Sequence, residues 1–196
     1  MHIVKLDKTQ MLGQFPFIQV PKDGWVAGGA IRRWFKGEEK LSDVDCFFQN
    51  KESLEHYIHV LNGMGFTEIN KHQNAISYSN EEYLVQCIIV KFYKDVTELL
   101  DSFDFTLCQF AYDGKEIYAS SDGIVSVLRN HLGVHKLEGN VTDSLRRAFK
   151  YTKKGYYPCN GTLQKLALAL NGTTAQAIND SIEISPNGGR RIVRID

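Results

Sequence analysis

Asp43 and Asp45, near the end of the stretch WVAGGAIRRWFKGEEKLSDVDCFF (residues 25–48), are the residues best placed by type and spacing to do chemistry. They alternate with apolar residues, and alternate residues of a β-strand project from one face. The two carboxylates therefore lie side by side while Val44 and Cys46 turn into the core. Carboxylates that close repel each other, and a shared divalent cation is the usual relief. Magnesium accepts one or two protein carboxylates and fills its other positions with water and phosphate oxygens, which suits a metal that also grips a nucleoside triphosphate. With two Mg2+ ions, one activates an attacking hydroxyl and the other holds the departing pyrophosphate. Upstream, Gly28 and Gly29 offer a side-chain-free turn that lets a phosphate approach the backbone. The helix that follows would aim its first N–H groups at that phosphate, and Arg32 or Arg33 would add charge-assisted bonds. Strand, glycine turn, helix and DxD strand form a connected phosphate-and-metal design.

The surrounding pattern supplies elements to position these groups. GWVAGG reads as a short buried strand and AIRRWFKG as a helix closed by Gly37. DVDCFFQ has strand character, and Leu54, Tyr57, Ile58 and Leu61 recur at helical spacing before Gly63 or Gly65. FTEIN, NAISYS and YLVQCIIVKFY read as strands that complete a mixed sheet with the aspartate strand. DVTELLDSF is expected to be a helix capped by Asp95, with Glu98 three residues on. FDFTLCQFAYDGKEIYAS reads as two strands joined at Asp113-Gly114. Helices are expected over about 122–130, about 142–154 (Thr142 as cap, Gly155 as stop) and about 162–171, followed by a tail in SPNGGRRIVRID. The fold class expected is α/β (α+β), a mixed sheet flanked by helices with a small C-terminal helical extension.

Bulk properties narrow the classes. The 196 residues suffice for one domain with a real core. With 23 basic and 23 acidic residues, any nucleic-acid contact must come from a local patch. Cys46, Cys87, Cys108 and Cys159 are widely spaced with no CxxC pair, as expected of reduced thiols in a cytoplasmic protein. No apolar run reaches membrane-spanning length, and the polar N-terminus is unlike a signal peptide.

GGAIRRWFKGEEKLSDVDCFF resembles the signature of the DNA polymerase beta-type nucleotidyltransferase superfamily. More narrowly, it is similar to the head domain of bacterial poly(A) polymerases and CCA-adding (tRNA nucleotidyltransferase) enzymes, whose pattern is GGxVRD followed by a DhD strand. FDFTLCQFAYDGKEIYASSDGIVSVLRNHL is similar to that family's segment beginning RRDFTINAMAYD, and LRRAFKYTKKGYYP to the neck helix after it, so the resemblance covers roughly residues 24–157. It implies a nucleotidyltransferase-type head over 1–138 and a neck-like helical extension and tail over 139–196. It puts Gly28 and Gly29 at the triphosphate, Arg32 in the family's arginine position, Asp43 and Asp45 on the metal ions, Ser42 beside the metal strand and Asp104 on the aspartate of RRDFT. The implied reaction transfers a nucleoside monophosphate from an NTP to an acceptor hydroxyl, an RNA or tRNA 3′ end being favoured.

The chain also departs from that pattern. Ser102 and Phe103 stand where the family has two arginines, Trp34 replaces the aspartate after the helix arginine, and the body and tail domains that hold tRNA are missing. Small size without those domains suits a phage or mobile-element protein. The wider superfamily often adds a third carboxylate on a neighbouring strand as base, but here the inner positions offer Gln86 and Cys87. Asp104 is the alternative third acid, with an N-cap or turn role equally open. Two other readings remain: a nucleotide- or RNA-binding module that transfers nothing, and a nucleotidyltransferase acting on a protein or small-molecule acceptor. Arg146, Arg147, Lys150, Lys153 and Lys154 form a basic run that reads as a solvated face or as a guide for nucleic acid or triphosphate. Tyr151, Tyr156 and Tyr157 read as packing groups or base-stacking platforms.

Overall fold

The structure, a computed structural model, describes residues 1–15, 18–38, 43–137 and 140–171, and the backbone at 183–184 and 190–191. The chain runs β1 (Ile3–Leu6), β2 (Gly24–Ala27), α1 (Gly29–Lys36), β3 (Val44–Phe48), α2 (Lys51–Gly63), β4 (Thr67–Lys71), β5 (Ala75–Ser79) and β6 (Leu84–Ile88). It continues through α3 (Val96–Asp101), β7 (Phe110–Tyr112), β8 (Ile117–Ser120), α4 (Ser121–Leu128), β9 (His131–Leu132), α5 (Val141–Lys153), β10 (Tyr157–Pro158) and α6 (Asn160–Asn171).

β1 to β8 form one mixed sheet in the order β1-β8-β7-β2-β3-β6-β5-β4. Only the β3–β6 pair is parallel, because the chain must return through α2 before β6 can lie beside β3 in the same direction. The other neighbours are antiparallel. Alternation along β2 and β3 sorts their side chains between the two faces. Val26, Val44, Cys46 and Phe48 join Val85 and Cys87 in the main core, which α1 and α2 cover with Ile31, Trp34, Leu54, Tyr57 and Leu61. Trp25, Ala27 and Phe47 face the other way, against Leu99 and Leu100 of α3. The mixed sheet between helices matches the expected fold class.

Local chemistry explains where the elements start. Asn50 caps α2, its side chain accepting from Ser53 N at 2.9 Å, and Asp95 caps α3, accepting from Glu98 N at 2.9 Å. Gly37 ends α1 in the left-handed conformation. Asn140, and not Thr142, caps α5, its side chain accepting from Thr142 N at 3.0 Å.

Three expectations change. The segment FDFTLC does not form a strand: Thr106–Cys108 is a 3-10 turn, because Thr106 N bonds the Gly133 carbonyl at 2.9 Å and the Thr106 hydroxyl lies 2.7 Å from that of Ser126. β1 was not expected; only Leu6 of its four residues is buried, so its pattern is weak and its pairing with β8 defines it. β11 (Glu183–Ile184), just before the segment read as tail, pairs antiparallel with β12 (Arg190–Arg191) inside it. Among the described residues, no helix is long and apolar enough to cross a membrane.

Candidate active site

The site is built where β2 gives way to α1. Gly28, the residue before α1, has φ 74° and ψ −129°, and its carbonyl accepts from Arg32 N at 3.1 Å to start the helix. A Cβ at Gly28 would lie 3.5 Å from Phe103 Cε1 and 4.0 Å from Asp45 Oδ2. The bare turn and the aspartate strand therefore lie close to each other.

Asp45 lies within β3, half-buried; Asp43 immediately precedes the strand. Asp45 is in register with Ala27 of β2 and Gln86 of β6, and Gln86 with Ser77 of β5. Directly paired residues share a face, so Gln86 stands beside Asp45 where a neighbouring strand would offer a third acid. Burial, then repulsion from Asp43, pushes the Asp45 carboxyl up to about 7, while Arg33, Lys150 and Arg147 pull the other way. Two coupled carboxylates, one of them strained in its charged form, fit a hard divalent cation. Among the described residues no three acid, histidine or cysteine side chains converge on one point. Asp43 and Asp45 are the pair of carboxylates that could hold such a cation.

The adjacent arginines have different surroundings. Arg33 turns toward the aspartates: its guanidinium donates to the Asp43 carbonyl at 3.1 Å, and a Cβ on Gly29 would lie 3.1 Å from its Nη1. Burial and the neighbouring Arg32 lower its pKa, opposed by Asp43, Asp45 and Glu38. Arg32 is 1% exposed and lies over the rings of Tyr156 (5.0 Å to the centroid) and Tyr151 (5.7 Å). One Arg32 nitrogen pairs with Glu38 at 3.3 Å, and its Nε and Nη1 are buried without a hydrogen-bond partner. Tyr156 also donates to Glu38 at 3.2 Å. Tyr151 and Tyr156 therefore pack on an arginine at the joint between α1 and the end of α5, while Tyr157 is exposed. Glu38 went unnoticed in the sequence, where a carboxylate just after a helix-stop glycine carries no distinctive signal.

Asp104 is 9% exposed and joins α5, with Arg147 Nη2 2.8 Å from its Oδ2. Burial raises its pKa, while Arg147, the Ser144 side chain and the backbone at 104 and 105 hold it down. Phe103, in one of the expected arginine positions, packs edge-on to Phe47 (centroids 5.8 Å apart) and reaches the Gly28 turn. Ser42 lies outside the described residues. Cys46, Cys87 and Cys108 are buried free thiols as expected, and Cys159 is exposed. His56 and His59 are both exposed on α2.

The family described as Gabija anti-defense 2 matches residues 5–129, a span that holds the glycine turn, both aspartates and Asp104. The chain belongs to the Gabija anti-defense 2 family. A curated relative, "Gabija anti-defense 2" of Bacillus phage SPbetaL7, is 27% identical over 135 residues, which is 67% of this chain and 33% of the phage protein. The chain thus spans about a third of that Gabija anti-defense 2 protein's length. Solved structures share the fold. A CCA-adding enzyme complexed with ATP has a TM-score of 0.61 at 17% identity, over 80% of this chain and 42% of that one. The Thermotoga maritima CCA-adding enzyme complexed with tRNA gives 0.58 at 17%, covering 80% and 41%. A tRNA nucleotidyltransferase complexed with a primer tRNA and an incoming ATP analog gives 0.58 at 15%, covering 76% and 46%. This member of the Gabija anti-defense 2 family therefore has a nucleotidyltransferase-type fold and spans less than half of each of those enzymes.

Proposed function

We propose that this chain is a compact nucleotidyltransferase of the DNA polymerase beta type. It transfers a nucleoside monophosphate from an NTP to an acceptor hydroxyl, in the service of phage counter-defence within the host cytoplasm. The observation that carries the reading is the approach of the Gly28 turn to Asp45, with its virtual Cβ 4.0 Å from the carboxylate. A bare backbone turn close to a carboxylate of the DxD strand supports a shared space for phosphate and metal.

In this reading residues 1–138 act as the head and 139–196 as the extension. Asp43 and Asp45 hold Mg2+, which when bound supplies charge neutralisation for the reacting phosphates. The Gly28–Gly29 turn admits the phosphate chain, and Arg33 bears charge toward it from the first turns of α1. Arg32 stiffens the platform from behind through Glu38, Tyr151 and Tyr156. Ser42 would stand beside the metal strand. Asp104 acts as the anchor of α5 and not as the third carboxylate. Asp104→Asn is therefore expected to cost about 1–3 kcal/mol in denaturant unfolding and to lower transfer less than about tenfold. A loss as large as that from removing Asp45 would instead make Asp104 a reacting group.

RNA or a tRNA 3′ end is the favoured acceptor, supported by the tRNA named with the similar structures. A non-catalytic nucleotide-binding module is the second reading, favoured by Gln86 beside Asp45 and by Phe103 against the turn. Incubating the purified protein with α-labelled ATP, CTP, GTP and UTP, magnesium, and total RNA, tRNA or protein acceptors separates the two. Label transferred to one acceptor class, with pyrophosphate released and EDTA blocking both, is the expected result. Triphosphate binding without transfer to any acceptor would favour the module.

A further inference from the structure

We propose that Cys159, at the start of α6, and His131, on β9, form a reactive thiol–imidazole pair that is modified by small-molecule disulfides, giving a mixed disulfide at Cys159. The pair uses none of the residues assigned to the aspartate site, so it stands whether or not the chain transfers nucleotides.

Cys159 is the exposed thiol of the four, while Cys46, Cys87 and Cys108 are buried. Its carbonyl accepts from Leu163 N at 3.0 Å, so it occupies the capping position of the 12-residue helix α6. The N–H groups of the first turn, from Asn160 to Thr162, have no partner inside the helix. The sulfur is folded back over that turn as a serine oxygen would be in a cap. Sγ lies 3.6 Å from Thr162 Oγ1, and a Cβ on Gly161 would stand 3.8 Å from it.

The second member of the pair comes from the neighbouring strand. β10 runs parallel to β9, with Tyr157 beside His131 and Pro158 beside Leu132. One step further, that register sets Cys159 beside Gly133. Alternate strand positions share a face, so 131 and 133 lie on the same side as 157 and 159. Gly133 has no side chain to separate His131 from Cys159. The imidazole leans over it, with Cε1 and Nδ1 lying 3.4 and 3.5 Å from where its Cβ would be. The Thr162 hydroxyl donates to the Leu132 carbonyl at 2.8 Å, which fixes the first turn of α6 against β9. His131 Nε2 is buried without a hydrogen-bond partner, so that end of the ring is held by no other group.

The Thr162 N–H, then the His131 ring and the Thr162 hydroxyl, bring the Cys159 thiol down to about 6 from an ordinary 9.0. Lys165, further along α6, is turned to the Val134 carbonyl at 3.4 Å. A thiolate at a helix start beside an imidazole is the form that attacks disulfides. The thiol proton passes to His131, and the thiolate attacks one sulfur of R–S–S–R. The new Cys159–sulfur bond forms as the S–S bond breaks, and the departing RS− takes up a proton. Cys159 is oxidised and one half of the reagent is reduced. A zinc site is a poorer reading, because among the described residues no third acid, histidine or cysteine joins the pair.

The test is exchange of the full chain with oxidised glutathione from pH 5 to 9, followed by intact mass and peptide mapping. One adduct is expected, on Cys159, and none in Cys159→Ser, whose hydroxyl still caps α6. A thiol half ionised near pH 6 is individually less nucleophilic but far more ionised than free cysteine. Exchange should therefore run about tenfold faster than with free cysteine at pH 6 and slower than with it at pH 9. His131→Gln should raise the midpoint of the profile and lower the pH 6 rate, with thermal melting unchanged. Adducts on the buried cysteines instead of Cys159, or a profile matching free cysteine, would overturn the proposal. An unchanged profile in His131→Gln would leave a helix-end thiol acting alone and remove the pair. If that variant does not fold, the His131 ring is titrated by NMR in the wild type and in Cys159→Ser. Its midpoint should fall when the thiolate is removed, and identical titrations would equally rule the pair out.

Discussion

Asp45→Asn is expected to abolish nucleotidyl transfer and, in the same protein, to raise stability at neutral and alkaline pH. The two effects share one cause. Asp45 sits beside Asp43 in a poorly hydrated place, and its carboxyl is pushed up to about 7 from an ordinary value near 3.8. Between those values the folded state holds a proton that the unfolded state has released. Stability contributed by this group is thus fully present below about pH 4 and is lost as pH rises toward 7. Asparagine never ionises, so its advantage over the wild type is largest at pH 7 and above and shrinks as pH falls. A gain on the order of 2 kcal/mol in metal-free buffer is expected, a melting shift of roughly 4–8 °C for a domain of this size. Magnesium should raise the wild-type melting temperature more at pH 8 than at pH 6, because binding requires the deprotonated carboxylate. It should do much less for Asp45→Asn. Transfer should fall on the order of a thousandfold or more, since the missing ligand acts on charge that develops in the transition state. Melting curves at pH 5, 6, 7 and 8 with and without magnesium check the first half, and label transfer the second. An Asp45→Asn protein less stable than wild type at pH 8, or one that still transfers, would contradict this account.

Gly28→Ala is the second large expected effect, and its cause is conformational. With φ 74° and ψ −129°, Gly28 occupies a region that residues bearing a Cβ rarely enter. The new methyl would meet Phe103 at 3.5 Å and Asp45 Oδ2 at 4.0 Å, ordinary contact distances, so crowding is a minor part of the cost. The strain should destabilise the protein by about 1–3 kcal/mol. The methyl would also occupy the space between turn and aspartate, so ATP affinity should fall at least about tenfold. Gly155→Ala is the matched control: its φ is 86°, and nothing lies within 4 Å of the added Cβ. It should cost about 1 kcal/mol and leave ATP affinity unchanged. Chemical denaturation and calorimetry read the two quantities. Equal effects of the two substitutions on ATP affinity would remove Gly28 from the site.

Much of this was legible because the signals are short-range. Period-two alternation in DVDCFF sends Val44, Cys46 and Phe48 to one core and leaves Asp45 and Phe47 on the other face. Asp95 caps its helix as its spacing to Glu98 suggested, and Asp113-Gly114 joins two strands as its turn chemistry requires. FDFTLC failed as a strand because the bonds of Thr106 run to Gly133 and Ser126, more than 19 residues away, and no local propensity reports them. Arg32 and Arg33 could not be told apart for a related reason. Adjacent helix residues point about 100° apart, and the direction of the core comes from packing. One of them became the stacked partner of Tyr151 and Tyr156, the other the neighbour of Asp43.

By itself, the sequence determined the local arrangement: a bare turn, a helix start and two carboxylates two residues apart, a geometry set by bond lengths and strand periodicity. Only the tertiary structure decided what surrounds them. The sheet placed Gln86 beside Asp45, the packing of Phe103 put an aromatic ring against Gly28, and the docking of α5 brought Arg147 to Asp104. The physical reason is separation along the chain. Contacts between residues near 28, 45, 86, 103 and 147 depend on how whole elements pack, and a local pattern carries no information about which flank of a helix will meet a residue more than forty positions away.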